Sequence, residues 1–237
     1  MDDAAWVRLL RIRATDPAAV AKAWAQRARR PLLGPDGRLF LLAADHPARG
    51  ALRVGDYPLA MADRRELDDP LTGHDPRAVI EQGLDGGKML LRLDLGDRDS
   101  VTTLRACAAW VSELARAGVS AMVEPLPYRR RADGELDRSE EALVRAVTVA
   151  AGLGASSAWT WLKLPAWPST PAACAASPLP ALVLGGVPSG DLVADLAGWR
   201  AALRLPTVRG LVVGRALLYP PDGDVHAAVR AAAREIS

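Results

Sequence analysis

Thirty residues of this 237-residue sequence are basic, and only three of them are lysine: Lys22, Lys88 and Lys163. The chain is rich in Ala and Arg, so arginine fills the generic surface roles and lysine is kept where arginine cannot serve. A guanidinium holds its proton near neutrality, whereas a desolvated lysine can shed one and attack an electrophilic carbon. Lys22 falls on a polar helical surface and carries no such expectation. Lys88 and Lys163 interrupt the apolar strand-like runs Lys88–Leu93 and Ala158–Leu164, where charge is costly unless it has a purpose.

Other chargeable groups share that kind of placement. Side chains alternate along a strand, so Leu41, Ala43 and Asp45 share one face, as do Leu90, Arg92 and Asp94. Met122 and Glu124 form a third set, and Trp161, Lys163 and Pro165 a fourth. Each set has a charged group at or near the C-terminal end of its run. Any one of these groups could merely cap a strand or bind loop amides. Together they point to a site at the C-terminal edge of a parallel sheet.

The elements that must position these groups alternate along the chain. Helical spacing predicts helices over Trp6–Arg13 and Asp16–Arg30, and a loop follows over Pro31–Gly37. Six strands are expected, over 39–44, 88–93, 120–124, 158–164, 182–184 and 210–213. Between them lie helices at Leu59–Leu67 (weak), Pro76–Gly83, Asp99–Ala117, Ser139–Leu153 and Asp191–Leu203, with a last helix at Asp224–Ile236. Short Val/Leu-rich strands alternating with helices make parallel βαβ units, hence an α/β fold. One domain over residues 1–237 is expected, with residues 1–37 leading into the first strand. A Gly-rich dinucleotide fingerprint and a P-loop are both absent from the sequence.

Bulk composition narrows the class further. A formal net charge of +2 is too small to argue for nucleic acid or an acidic membrane surface. The one dense basic run, Arg129-Arg130-Arg131, sits in a polar stretch and reads as a solvated face. Cys107 and Cys174 lack ligand-like spacing and read as buried free thiols in a reducing compartment. With no apolar run of about 18 residues and no signal-like N-terminus, a cytoplasmic location is expected. His46 is a candidate hydrogen-bonding group near the first strand end. His74 and His226 read as surface residues, and no metal is called for.

Several segments carry a resemblance. Leu41-Leu42-Ala43-Ala44-Asp45-His46-Pro47 resembles the first-strand motif of class I, Schiff-base-forming aldolases of the bacterial fructose-bisphosphate aldolase type. Thr160-Trp161-Leu162-Lys163-Leu164-Pro165 resembles their sixth-strand segment with the Schiff-base lysine. Val183-Leu184-Gly185-Gly186 and Val212-Val213-Gly214-Arg215 resemble the last two strand ends, which hold a substrate phosphate. Asp85-Gly86-Gly87-Lys88-Met89 and Met122-Val123-Glu124-Pro125 resemble the fourth and fifth strands of an actinobacterial branch tied to inositol and deoxy-sugar phosphate catabolism.

The resemblance implies a TIM-barrel-like fold and a metal-independent lyase, with no cofactor, acting on a small carbonyl or sugar-phosphate substrate. Lys163 would form the Schiff base, and Asp45 and Glu124 would move protons. Gly185, Gly186 and Gly214 would let backbone N–H groups reach phosphate, with Arg215 as a clamp. His46, Arg92 and Lys88 would line the substrate site, while Lys88, at the start of its strand, reads equally as a structural ion-pair partner of Asp45 or Glu124. The match departs from the family in two respects. The family's proton-transfer tyrosine on the fifth strand has no counterpart in place, because Glu124-Pro125-Leu126 occupies that stretch and Tyr128 lies beyond it. The family barrel has eight strands, and its second and third have no counterpart here, the junction falling near Glu66–Asp69. An incomplete barrel of about six strands is therefore expected, and a homodimer or higher oligomer to cover the gap. Two alternatives stand beside an active aldolase: a relative reshaped for specialised biosynthesis, and a non-catalytic relative that binds a ligand or a partner protein.

Overall fold

The computed structural model describes residues 3–26, 31–43, 75–129, 135–186 and 188–236. Helices α1 (Asp3–Thr15) and α2 (Pro17–Ala25) precede β1 (Leu39–Leu42). Next come α3 (Pro76–Glu81), β2 (Gly86–Leu93), α4 (Ser100–Arg116), β3 (Ser120–Arg129) and β4 (Glu135–Leu136). They are followed by α5 (Glu140–Ala151), β5 (Thr160–Pro165), α6 (Thr170–Ala175) and β6 (Ala181–Leu184). The order closes with α7 (Leu192–Ala202), β7 (Val208–Val213), α8 (Arg215–Leu218) and α9 (Val225–Ile236).

Six strands run parallel in the order β1-β7-β6-β5-β3-β2, and β4 folds back antiparallel on β3. Among the described residues β1 pairs with β7 alone and β2 with β3 alone, so the sheet is open between these two edges. The expected modified βα barrel is thus the observed architecture. Among the described residues, no helix is long and apolar enough to cross a membrane.

Strand alternation divides the apolar residues into two cores. Met89, Leu91, Val123, Leu162, Leu164, Val183, Leu211 and Val213 face outward, where they pack with Val111, Leu114, Val147, Trp199 and Leu217 from the helices. Intervening strand positions point inward. There Leu39, Leu182 and Val212 are buried together, with Leu41, Ala43, Met122, Trp161 and Leu184 against them. This inner cluster forms the floor on which the charged groups stand. Helix α5 shows how local sequence fixes the outer layer. Ser139 caps it by accepting a hydrogen bond from the Ala142 N–H, and Glu140 and Glu141 lie in its positive first turn.

The largest difference from the sequence-based expectation is in β3, which continues past Glu124 to Arg129. Pro125 and Pro127 lie within the strand, and their position in the ladder makes them harmless. The Ala121 N–H donates to the Trp159 carbonyl on the β5 side, so alternate residues of β3 direct their nitrogens that way. The ladder to β5 ends at Val123, and the missing N–H groups of Pro125 and Pro127 therefore cost no strand bond. β4, α6 and α8 are also additions to the expected elements. Residues 59–67 and the junction near Glu66–Asp69 lie outside the described residues, as does the end of the helix expected over Asp16–Arg30.

Candidate active site

Glu124 stands at the centre of the inner face. Its Oε2 lies 2.6 Å from Lys88 Nζ and 3.1 Å from Lys163 Nζ. Register explains the meeting. Val123 of β3 pairs with Leu162 of β5, which sets Glu124 and Lys163 abreast on adjacent strands. On the other side Glu124 pairs with Leu90 of β2, and Lys88 sits one inward position below and reaches up. Three neighbouring strands thus deliver two amines to one carboxylate oxygen.

The electrostatics follow from burial and count. Glu124 is 7% exposed, and burial alone would raise its pKa. The charges of Lys88 and Lys163, and their hydrogen bonds, outweigh that and hold the carboxyl below its ordinary range. Glu124 is therefore ionised near neutrality. With both amines protonated, one negative charge faces two positive ones, so the second cation is uncompensated within the triad.

Toward the C-terminal ends of the strands the inner face carries a further charged group. Arg92, one inward position beyond Leu90, is buried at 4% exposure, and its guanidinium carbon lies 5.9 Å from the centre of the Tyr128 ring. Tyr128 belongs to the part of β3 that the prolines concealed, so the sequence reading placed it past the strand. A second cation–π pair, Arg138 over Trp167 at 5.6 Å, joins the start of α5 to the loop after β5. Trp167 is tethered there: its N–H donates to Thr170 Oγ1, and that hydroxyl donates to the Pro165 carbonyl.

Across the sheet, Gly185 and Gly186 follow β6, and Gly214 and Arg215 follow β7. Arg215 donates through Nη2 to the Gly186 carbonyl at 3.2 Å, tying the two strand ends together. Packing gives Gly214 a reason of its own, because a Cβ there would stand 2.4 Å from the Ala43 carbonyl oxygen. Gly186 has φ +65° and is exposed, so its backbone is open to a ligand in a conformation that favours glycine. The structure therefore joins Lys163, Glu124 and Lys88 directly. It sets Arg92 just above them on one side and the glycines with Arg215 on the other. Asp45 and His46 lie outside the described residues. Asp94, which shares the inward face of β2, caps its own loop by accepting from the Gly96 N–H.

The fold defines the class first. Solved structures of Schiff-base-forming fructose-1,6-bisphosphate aldolases share this βα-barrel architecture. One, described through its reaction intermediates, matches with a TM-score of 0.58 at 16% identity, over 70% of this chain and 63% of that one. An archaeal fructose 1,6-bisphosphate aldolase matches with a TM-score of 0.58 at 15% identity, over 69% and 62%. The chain thus spans just under two thirds of these aldolases, and at such identity the fold alone is shared.

The particular family is given by a nearer match. The crystal structure of Cgl0159 from Corynebacterium glutamicum (Brevibacterium flavum) superposes with a TM-score of 0.85 at 37% identity, over 100% of this chain and 98% of that one. The Cgl0159-like family matches residues 37–67 and 65–233, and the chain belongs to that family. The two matched segments meet beside the junction read at Glu66–Asp69. No curated protein matches the sequence.

Proposed function

We propose that this protein is a carbon–carbon lyase that works through a Schiff base on Lys163. The observation that carries the reading is the contact between Lys163 Nζ and the ionised carboxylate of Glu124, on the inner face of the sheet beside the apolar cluster that includes Met122 and Trp161. An amine must lose a proton before it can attack, and Glu124 Oε2 is a base within hydrogen-bond reach. The Lys163 nitrogen then adds to the carbonyl carbon of the substrate, and the carbonyl oxygen takes a proton to give a carbinolamine. Loss of water leaves an iminium. A base removes the proton of the hydroxyl β to that carbon, the carbon–carbon bond breaks, and its electron pair enters the iminium to give an enamine. The second carbonyl compound departs. Protonation of the enamine carbon and hydrolysis return the free amine and the first product. Synthesis is the same sequence reversed.

Lys88 has a supporting part. Its ammonium favours the return of Glu124 to the carboxylate once the proton taken from Lys163 has been passed to the substrate oxygen, so the base is restored for the later steps. Gly186, Gly214 and Arg215 lie where a phosphate on the donor half of the substrate would rest. The experiment is reductive trapping. The protein is mixed with dihydroxyacetone phosphate, deoxyribose phosphate and other small carbonyl compounds, reduced with borohydride and weighed intact. Covalent mass gain with at least one of them is expected. Folded protein that gains no mass with any of the panel contradicts the reading and favours a non-catalytic relative, in which the triad is a structural ion cluster.

A further inference from the structure

We propose that the wall between β3 and β5 holds a side opening beside Glu124 and Lys163, and that Arg138 stacked on Trp167 is the latch that gates it for small carbonyl compounds. This rests on the lyase reading for what passes through, and extends it to how Lys163 is reached.

Three prolines leave the seam unpaired. β3 and β5 pair from Ala121 with Thr160 to Val123 with Leu162, and the next residues on the two strands are Glu124 and Lys163. The Ala121 N–H points to β5, so Pro125 and Pro127, at alternate positions beyond it, turn their nitrogens to the same side. On the facing wall the Leu162 N–H donates to the Pro180 carbonyl on the β6 side, so Pro165, three residues on, turns its nitrogen toward β3. A proline has no N–H to give, and the ladder stops at the reacting pair. Carbonyls on this seam find donors elsewhere: Pro127 accepts from the Asp137 N–H, and Pro165 accepts from the Thr170 hydroxyl.

A separate piece of chain covers the seam. β4 pairs with β3 at Tyr128 and Arg129, and the bond from Asp137 to Pro127 puts it on the β5 side, where β5 has stopped pairing. From the end of this excursion the exposed Arg138 reaches the ring of Trp167, in the loop after β5, with its guanidinium carbon 5.6 Å from the ring centre. The Lys163 side chain beneath is only 12% exposed, against 27% for Lys88 on the other side of Glu124. A carbonyl compound must touch Lys163 Nζ to react, so its cover must part. An exposed cation–π contact is weak enough to break and re-form by thermal motion, which a continuous strand ladder is not. A staple that only fixed α5 to the loop after β5 would need no unpaired seam beneath it.

The test reads access to the lysines directly, so it does not depend on turnover. The chain has only three of them, and pulse acetylation with acetic anhydride followed by peptide mass mapping follows each one. Lys22 is exposed and serves as the internal standard. Wild type, Arg138→Ala, Trp167→Leu, Trp167→Phe and the double variant Arg138→Ala/Trp167→Leu are compared, with circular dichroism as the folding check. Arg138→Ala and Trp167→Leu should each raise the Lys163 rate relative to Lys22 by roughly two- to fivefold, the shift that losing one exposed cation–π contact gives a two-state opening. The Lys88 rate should change less than that of Lys163. Trp167→Phe keeps a ring and should stay near the wild type. The double variant should match the stronger single one, because both substitutions break the same contact. An unchanged Lys163 rate, an equal rise at Lys88 and Lys163, or single effects that multiply in the double variant overturns the inference. If Trp167→Leu fails to fold, Arg138→Ala still decides through the ratio of Lys163 to Lys88. Latch-dependent labelling without any borohydride adduct removes the lyase reading alone, whereas an adduct with latch-independent labelling removes the opening alone.

Discussion

Lys163 Nζ lies 3.1 Å from Oε2 of Glu124, and the same oxygen receives Lys88 Nζ at 2.6 Å. The arrangement is unequal by design of charge: one buried anion serves two cations. Taking away either lysine leaves a balanced pair, whereas taking away the carboxylate leaves two ammonium groups facing each other on the inner wall. Glu124→Gln should therefore destabilise the protein by about 3–5 kcal/mol, the range for breaking a buried ion pair from one side. Lys163→Met should cost about 1 kcal/mol or less. Urea unfolding of the variants checks this, and equal losses would show that the triad is not organised around Glu124.

Acid should find the same group. The folded state holds Glu124 below its ordinary value of 4.5. A carboxyl depressed by folding contributes stability that is fully present above its unfolded pKa and is lost as pH falls through the folded one. Stability attributable to Glu124 should thus be intact at neutral pH and decline below about 4.5. In Lys88→Met the carboxylate loses its nearer cation and its folded pKa moves up toward the unfolded one, so the decline should start at the same pH but be smaller and level off at higher pH than in the wild type. Unfolding free energy measured against pH in both proteins checks the sign; superposable curves would contradict it.

Glu124→Gln also bears on chemistry. If Glu124 takes the Lys163 proton, removing its charge should slow Schiff-base formation by ~10²-fold or more, the usual contribution of a positioned base. The rate of adduct formation under single-turnover trapping is the measurement. A Glu124→Gln protein that folds and forms adduct at the wild-type rate would move the proton-transfer role to another residue.

The seam between β1 and β7 depends on a glycine. Gly210 has φ +153°, and a Cβ there would lie 1.7 Å from the Leu39 carbonyl oxygen. Gly210→Ala must displace β1 or distort β7, and should cost more than about 3 kcal/mol from steric overlap and backbone strain combined. Thermal unfolding checks it. A near-neutral effect would mean that β1 joins the sheet loosely.

The sequence carried the parallel sheet and the triad's residues for clear physical reasons. Alternation placed Lys163, Glu124 and Arg92 on one face, and the rarity of lysine in an arginine-rich chain marked Lys88 and Lys163. What it could not carry was reach across strands. The sequence left Asp45 and Glu124 both open as partners for Lys88, and it is register, a property of the assembled sheet, that brings Lys88 to Glu124. Tyr128 was hidden by Pro125 and Pro127, since a proline's harm depends on which neighbour its nitrogen faces. Arg138 over Trp167 likewise joins segments that only the fold brings together. Gly214 was marked for phosphate, and the close approach of Ala43 adds a packing demand that no single-strand pattern displays.

The central claim is that Lys163, of the two amines on Glu124, is the nucleophile. Its most direct test is peptide mapping of borohydride-reduced adducts, with dihydroxyacetone phosphate among the carbonyl compounds, in the wild type, Lys163→Met and Lys88→Met. The account predicts a single modified peptide containing Lys163, absent from Lys163→Met and still formed, more slowly, in Lys88→Met. An adduct on Lys88, or one that persists in Lys163→Met, would contradict it.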